Sequence, residues 1–162
     1  MFGHGPYYFS TIRKMVIYFG NVFNDLHITR SDAEGNVVQL LKVPLTYAPK
    51  NKMLLRIAAD PEIQRQDAIT LPRMSFELTS MKYDGDRKLH TSGKVAVKDN
   101  SDANKLKRQY NPVPYNFEFA LHIYVKNAED GTKIIEQILP FFTPEWTATV
   151  NLIPEMNISM DI

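Results

Sequence analysis

Phe117, Phe119, Leu121, Ile123 and Val125 alternate with Asn116, Glu118, Ala120, His122 and Tyr124. This is the strongest period-two pattern in the chain and predicts a strand with one apolar face. A helical period comes first. Between Tyr7 and Phe23 the stripe Ile12, Met15, Val16, Phe19, Val22 and Phe23 keeps helical spacing, with Arg13, Lys14 and Asn21 off it. Gly20 either weakens the last turn or admits a close neighbour. Leu26 and Ile28 begin a short strand, residues 31–36 are turn chemistry, and Val37 to Leu45 form a second strand, so the two read as a hairpin with Pro44 near an edge or end. Pro49 suits the first turn of a helix reaching about Ala59, with Met53, Leu54 and Ile57 on its apolar side, and Asp60-Pro61 ends it. Residues 62–67 are polar, a short helical turn or a loop. From Ala68 the chain enters a long strand in which Met74, Phe76 and Leu78 alternate with Ser75, Glu77 and Thr79.

One stretch joins a helix to an aromatic corner. Asn127 is placed as an N-cap, Glu129 and Asp130 favour a first turn, and Ile134, Ile135, Ile138 and Leu139 fall on one side of the helix that follows. Pro140 is expected to stop that helix. Phe141, Phe142 and Trp146, the chain's one tryptophan, then supply apolar area where the chain must turn. Two more strands close the sequence, residues 147–153 and 156–162. The fold class that follows is α+β, a mixed and largely antiparallel sheet with flanking helices and a protruding basic arm.

Length changes little in this picture: 162 residues fit one domain, taken as 1–162. The last strand is cut off without a polar tail, which suggests a piece or a short form of something longer. No apolar run approaches the ~18 residues of a membrane span. The absence of cysteine excludes disulfides, thiolate metal sites and cysteine catalysis. Met1 to Pro6 carries neither the basic flank nor the apolar core expected of a signal peptide, and Phe2 stands where myristoylation needs glycine.

Charge is near balance at +1, yet it is unevenly spread: residues 82–108 hold eight Lys or Arg against four Asp. An exposed arm at about 84–108 is expected there. Its two readings are a solvated loop and a surface for an acidic partner. Nucleic acid would call for denser cations with interleaved aromatics, so an acidic protein surface fits better. Tyr110, Tyr115 and Tyr124, around the rigid Asn111-Pro112-Val113-Pro114 run, are candidate interface anchors.

Catalytic chemistry is hard to find. His4, His27, His90 and His122 are scattered without metal-ligand spacing, and there is no nucleophile elbow, phosphate loop or zinc-protease motif. His122 reads as a solvent- or interface-facing residue. Glu136 and Glu145 flank the proline corner, but a carboxylate pair without a pocket is no acid–base site. No metal and no cofactor is expected, and a small hydrolase using Glu136 or His122 is the remote alternative.

Several collinear blocks together resemble one family, the tail sheath stabiliser or tail terminator of contractile-tailed phages of the T-even type. They are Met1-Phe2-Gly3-His4, Phe19 to Asp25, Val43 to Lys50, Thr70 to Glu77, Tyr83-Asp84 with Arg87-Lys88-Leu89, Gln109 to Tyr115, and Ile135 to Pro140. Each block is weak alone, and together they span nearly the whole chain. Members of the family continue beyond the position of Ile162.

The resemblance implies a structural virion protein, not an enzyme. It implies a hexameric ring that caps the head-proximal end of the tail, with the sheath protein, the tube terminator and the head or neck connector proteins as partners. Genomic DNA passes through the ring without sequence-specific binding, the location is the tail neck, assembled in the host cytoplasm, and no membrane is involved. Another neck ring or the tube terminator itself is the nearest alternative. Arg73, Arg87, Lys88, Tyr110, Asn111 and Tyr115 are the residues expected at protein interfaces.

Overall fold

A computed structural model describes residues 8–31, 36–58, 70–98, 104–153 and 158–162. In chain order the elements are helix α1 (Thr11–Val22), strands β1 (His27–Ser31), β2 (Val37–Lys42) and β3 (Leu45–Tyr47), and helix α2 (Lys50–Ala58). Strands β4 (Arg73–Tyr83), β5 (Lys94–Lys98), β6 (Leu106–Tyr110) and β7 (Tyr115–Tyr124) follow. Helix α3 (Ala128–Ile138), the 3-10 turn η1 (Leu139–Phe141), and strands β8 (Thr149–Ile153) and β9 (Ile158–Asp161) complete the series. The fold is α+β with mostly antiparallel pairing, as the alternating patterns require. The expected break at Asp60-Pro61, the segment 62–67, the N-terminal block Met1–His4 and the tip of the first hairpin, 32–35, lie outside the described residues.

The chain divides into two compact units. The larger is built from Ser10–Leu78 and Phe119–Trp146. Its core is Ile28, Val43, Met74 and Ile134, with Leu41, Leu45, Leu121, Ile123 and Ile138 packed against them. Each such buried side chain contributes about 1.5–3 kcal/mol. The alternating apolar face of β7 is therefore used as the period-two pattern predicts. Beside this core lies an aromatic group in which the Phe19 ring stacks on Phe119 at 4.4 Å between centroids and tilts against Phe23 and Phe76. Gly20 is explained by its neighbour: a Cβ there would stand 3.0 Å from the Phe76 ring.

β1 and β2 form the expected antiparallel hairpin. The second strand stops at Lys42, however, and does not run on to Leu45. Pro44 has no N–H for a ladder, and its carbonyl instead accepts the Met74 N–H at 2.9 Å. Leu45 to Tyr47 then pair in parallel with Met74 to Phe76. Parallel strands need a crossover, and α2 lies within the connection. β4 is flanked by β3 and β7. In this unit Ser75 meets Tyr124 and Glu77 meets His122, a falling order that makes β7 antiparallel to β4. Ser75 is as fully buried as Met74, so the strand is covered on both faces here, where alternation alone suggested one.

Two details of α3 differ from expectation. Asn127 occupies the N-cap without a side-chain cap bond. Of the four apolar residues predicted to share its inner side, Ile134 is buried and Ile138 half-buried, whereas Ile135 and Leu139 are 44% and 61% exposed. At ~100° per residue the four spread over an arc wider than the sheet can cover. Pro140 ends the α-helix but not the coil, since one 3-10 turn runs through it; proline at an early helical position loses no hydrogen bond there.

The smaller unit comprises the described parts of Met1–Phe9, Thr79–Glu118 and Thr147–Ile162. It holds two antiparallel pairs, β5 with β6 and β8 with β9. Mutual backbone bonds between Ala148 and Ile162, at 3.0 and 2.9 Å, extend the second pair, and Val150 is buried.

Candidate protein-interaction site

The basic segment is organised by one carboxylate. Asp84 Oδ1 accepts the backbone N–H groups of Asp86 at 3.0 Å and Arg87 at 3.4 Å, closing a turn of the kind short acidic side chains favour. Its other oxygen accepts Arg87 Nε at 2.6 Å, and Arg87 Nη2 donates to Asn116. The guanidinium beside Asp84 holds its carboxyl below the usual aspartate range, helped by the two backbone donors. Arg87, expected to meet a partner, is thus already neutralised within its own turn. Lys88 beside it is exposed and has no carboxylate partner among the described residues.

Asn111 is committed internally as well. Its side chain donates to the His90 carbonyl at 3.0 Å and its N–H to the Gly93 carbonyl at 3.0 Å. The two bonds fasten the base of the β5–β6 hairpin. Gly93 leaves room for them, since a Cβ at that position would collide with the Asn111 amide. Tyr115 packs edge-on to Tyr83, with centroids 5.8 Å apart, and stays 49% exposed.

The register of the hairpin pairs Lys94 with Tyr110, Ala96 with Arg108 and Lys98 with Leu106. Directly opposed residues share a face, so three cations, a tyrosine and a leucine lie together, and all five are exposed. Lys94 Nζ stands 4.9 Å from the Tyr110 ring centroid, a cation–π contact. Lys94, Lys98 and Arg108 were not singled out from the sequence. The alternation Leu106, Arg108, Tyr110 was available there, but the register that joins it to Lys94 and Lys98 was not.

Arg73 belongs to the larger unit. It opens β4, half-buried, and its Nε is buried without a partner among the described residues. In the same unit Val22, Phe23, Leu26, Gln137, Ile138, Phe141, Phe142 and Trp146 line an apolar cleft of about 160 Å³. The aromatic corner therefore does more than turn the chain, because Phe141 and Trp146 remain 66% and 43% exposed at its rim.

The titratable residues weighed for catalysis have local partners or face solvent. Glu77 Oε1 lies 3.2 Å from His122 Nε2 and also accepts the Lys50 N–H at 3.2 Å at the start of α2. His122 is only 22% exposed in its side chain, so it faces the neighbouring strand and not open solvent. Glu136 and Glu145 are both exposed. Among the described residues no three His, Asp or Glu side chains gather in a way that would hold a metal, and no helix is long and apolar enough to cross a membrane.

What the geometry offers is exposed apolar, aromatic and cationic surface. The chain is 28% identical over 155 residues to "Tail completion protein gp15" of Enterobacteria phage T4. That match takes in 93% of this chain and 55% of the relative, so the chain spans little more than half the length of the protein it resembles. The profile of the family described as "T4-like virus Myoviridae tail sheath stabiliser" matches residues 6–162, nearly the whole sequence, and the chain belongs to that family.

Proposed function

We propose that this chain completes the contractile tail as a structural part of the virion: six copies close into a ring at the head-proximal end, cap the sheath and tube, and present a surface to the head or neck proteins. The match of the family profile across residues 6–162 carries this reading. The exposed cationic hairpin and the half-open aromatic cleft support it, since assembly proteins need side chains left uncovered in the single chain. Closed rings form when one patch meets a different patch on the next copy, and six weak contacts then act together. The genome passes through the axis without base recognition.

Within that reading Lys88, Tyr110 and Tyr115 reach a neighbouring protein. Arg87 and Asn111 fix the turn and the hairpin that carry them, and Arg73 serves the larger unit. Imaging purified tails with and without the protein by negative stain tests the function. A sixfold ring at the head-proximal end is expected, and a protein that never joins tails would refute it.

A further inference from the structure

Two surfaces of this chain, one in each unit, are chemical complements. The outer face of the β5–β6 hairpin carries Lys94, Lys98 and Arg108 around Leu106 and Tyr110, which are 60% and 64% exposed. None of the three cations has a carboxylate partner among the described residues. The other face is more covered, with Val97, Lys107 and Gln109 half-buried and Val95 43% exposed.

The second surface is the outward side of α3 and η1. Glu129, Thr132, Ile135, Glu136 and Leu139 fall within an arc of roughly 120° at ~100° per residue, and all are exposed. Phe141 continues the apolar part. Glu129 is held at 2.6 Å by Lys133, but Glu136 has no basic partner among the described residues. One surface thus sets cations around a leucine and a tyrosine, and the other sets carboxylates around isoleucine, leucine and phenylalanine.

We infer that the hairpin face of one copy docks on the α3–η1 face of the next. This rests on the proposed assembly into a ring and names the two patches that would close it. Opposite charge on two different patches of one chain gives head-to-tail contact and disfavours like-to-like pairing. A second copy fits the hairpin better than a nucleic acid does. That face carries three cations, and the segment between the strands adds Asp99 and Asp102 against Lys105.

The experiment uses two reversal variants of the whole chain, Lys94→Glu with Arg108→Glu, and Glu129→Lys with Glu136→Lys, checked for folding by circular dichroism. Association is read by sedimentation over a range of salt. Each variant alone is expected to associate at least about tenfold more weakly than the unaltered chain, as loss of complementary charge implies. An equimolar mixture of the two is expected to recover, because every contact then again joins opposite charges. Glu136→Lys alone serves as the second variant should the helix-start reversal disturb α3. Normal association by either reversed protein, or a mixture that fails to recover, overturns the docking while leaving the ring open to other surfaces. An unaltered chain that stays monomeric and joins no tails overturns both. Reversal of the hairpin that spares self-association but removes binding to tails or DNA would assign the face to that partner instead.

Discussion

The side-chain amide of Gln137 donates to the backbone carbonyl of His27 at 2.7 Å and so seals the free edge of β1. One turn earlier on α3, Lys133 donates to the Thr29 carbonyl at 3.2 Å. Four residues of helix rise about 6 Å and two residues of strand about 6.7 Å, so helix and strand edge fall into step. Arg30 and Asp130, 3.4 Å apart, continue the alignment. An open edge invites foreign strands, and here two long polar side chains occupy it.

Gln137→Leu keeps the volume but leaves the His27 carbonyl unpaired. It is expected to lower stability by about 1 kcal/mol, measured by urea unfolding. Glu136→Gln, one residue away on the exposed face, should be within about 0.5 kcal/mol of the unaltered chain.

Gly20→Ala sets two effects against each other. Alanine favours a helix interior by about 1 kcal/mol over glycine, but its Cβ would press on Phe76 at 3.0 Å. That ring is 5% exposed and held between Phe19 and Tyr47, so it cannot yield freely, and overpacking of about 1–3 kcal/mol prevails. A lowered melting temperature is expected, and a raised one would show that Phe76 moves.

Gly93→Ala displaces the Asn111 amide from the His90 carbonyl and is expected to destabilise the smaller unit by about 1 kcal/mol. In an Asn111→Ala background the same substitution should cost markedly less, because the colliding amide is gone. Equal costs in both backgrounds, in a thermal double-mutant cycle, would place the effect elsewhere.

Acid should weaken three carboxylate contacts, among them the one that closes the turn at Asp84. Arg87 lowers the Asp84 pKa, Lys82 with Ser80 lowers that of Glu118, and Lys133 lowers that of Glu129. A carboxylate depressed in the fold adds stability that is complete above its unfolded pKa, near 3.8 for aspartate and 4.5 for glutamate, and lost as pH falls through the folded value. Stability is therefore expected to be flat near neutrality and to decline below about pH 4.5. Arg87→Met should remove part of that decline, followed by unfolding at stepped pH.

Most of the elements were legible in the chain because period and punctuation are local properties, but β6 and the separate β3 were not. Alternation from Phe117 to Val125 made β7, the stripe around Met15 and Phe19 made α1, and the alternating final residues made β9. The family, too, could be read from collinear blocks. Pairing could not. That Leu45 joins Met74 in parallel, that Ser75 is buried against Tyr124, and that Ile135 and Leu139 face outward all depend on which surfaces the chain brings together at long range.

The same division holds for the interaction site. The clustering of cations between residues 82 and 108 and of aromatics around the proline runs can be read from the chain alone. That Arg87 is neutralised by Asp84, that Asn111 fastens a hairpin, and that Lys94, Lys98, Arg108 and Tyr110 share one exposed face emerge in the folded chain alone. Strand register accounts for the difference: a shift of one residue would exchange the two faces, and across a connection as long as residues 99–105 no tight-turn signal in the sequence sets the register.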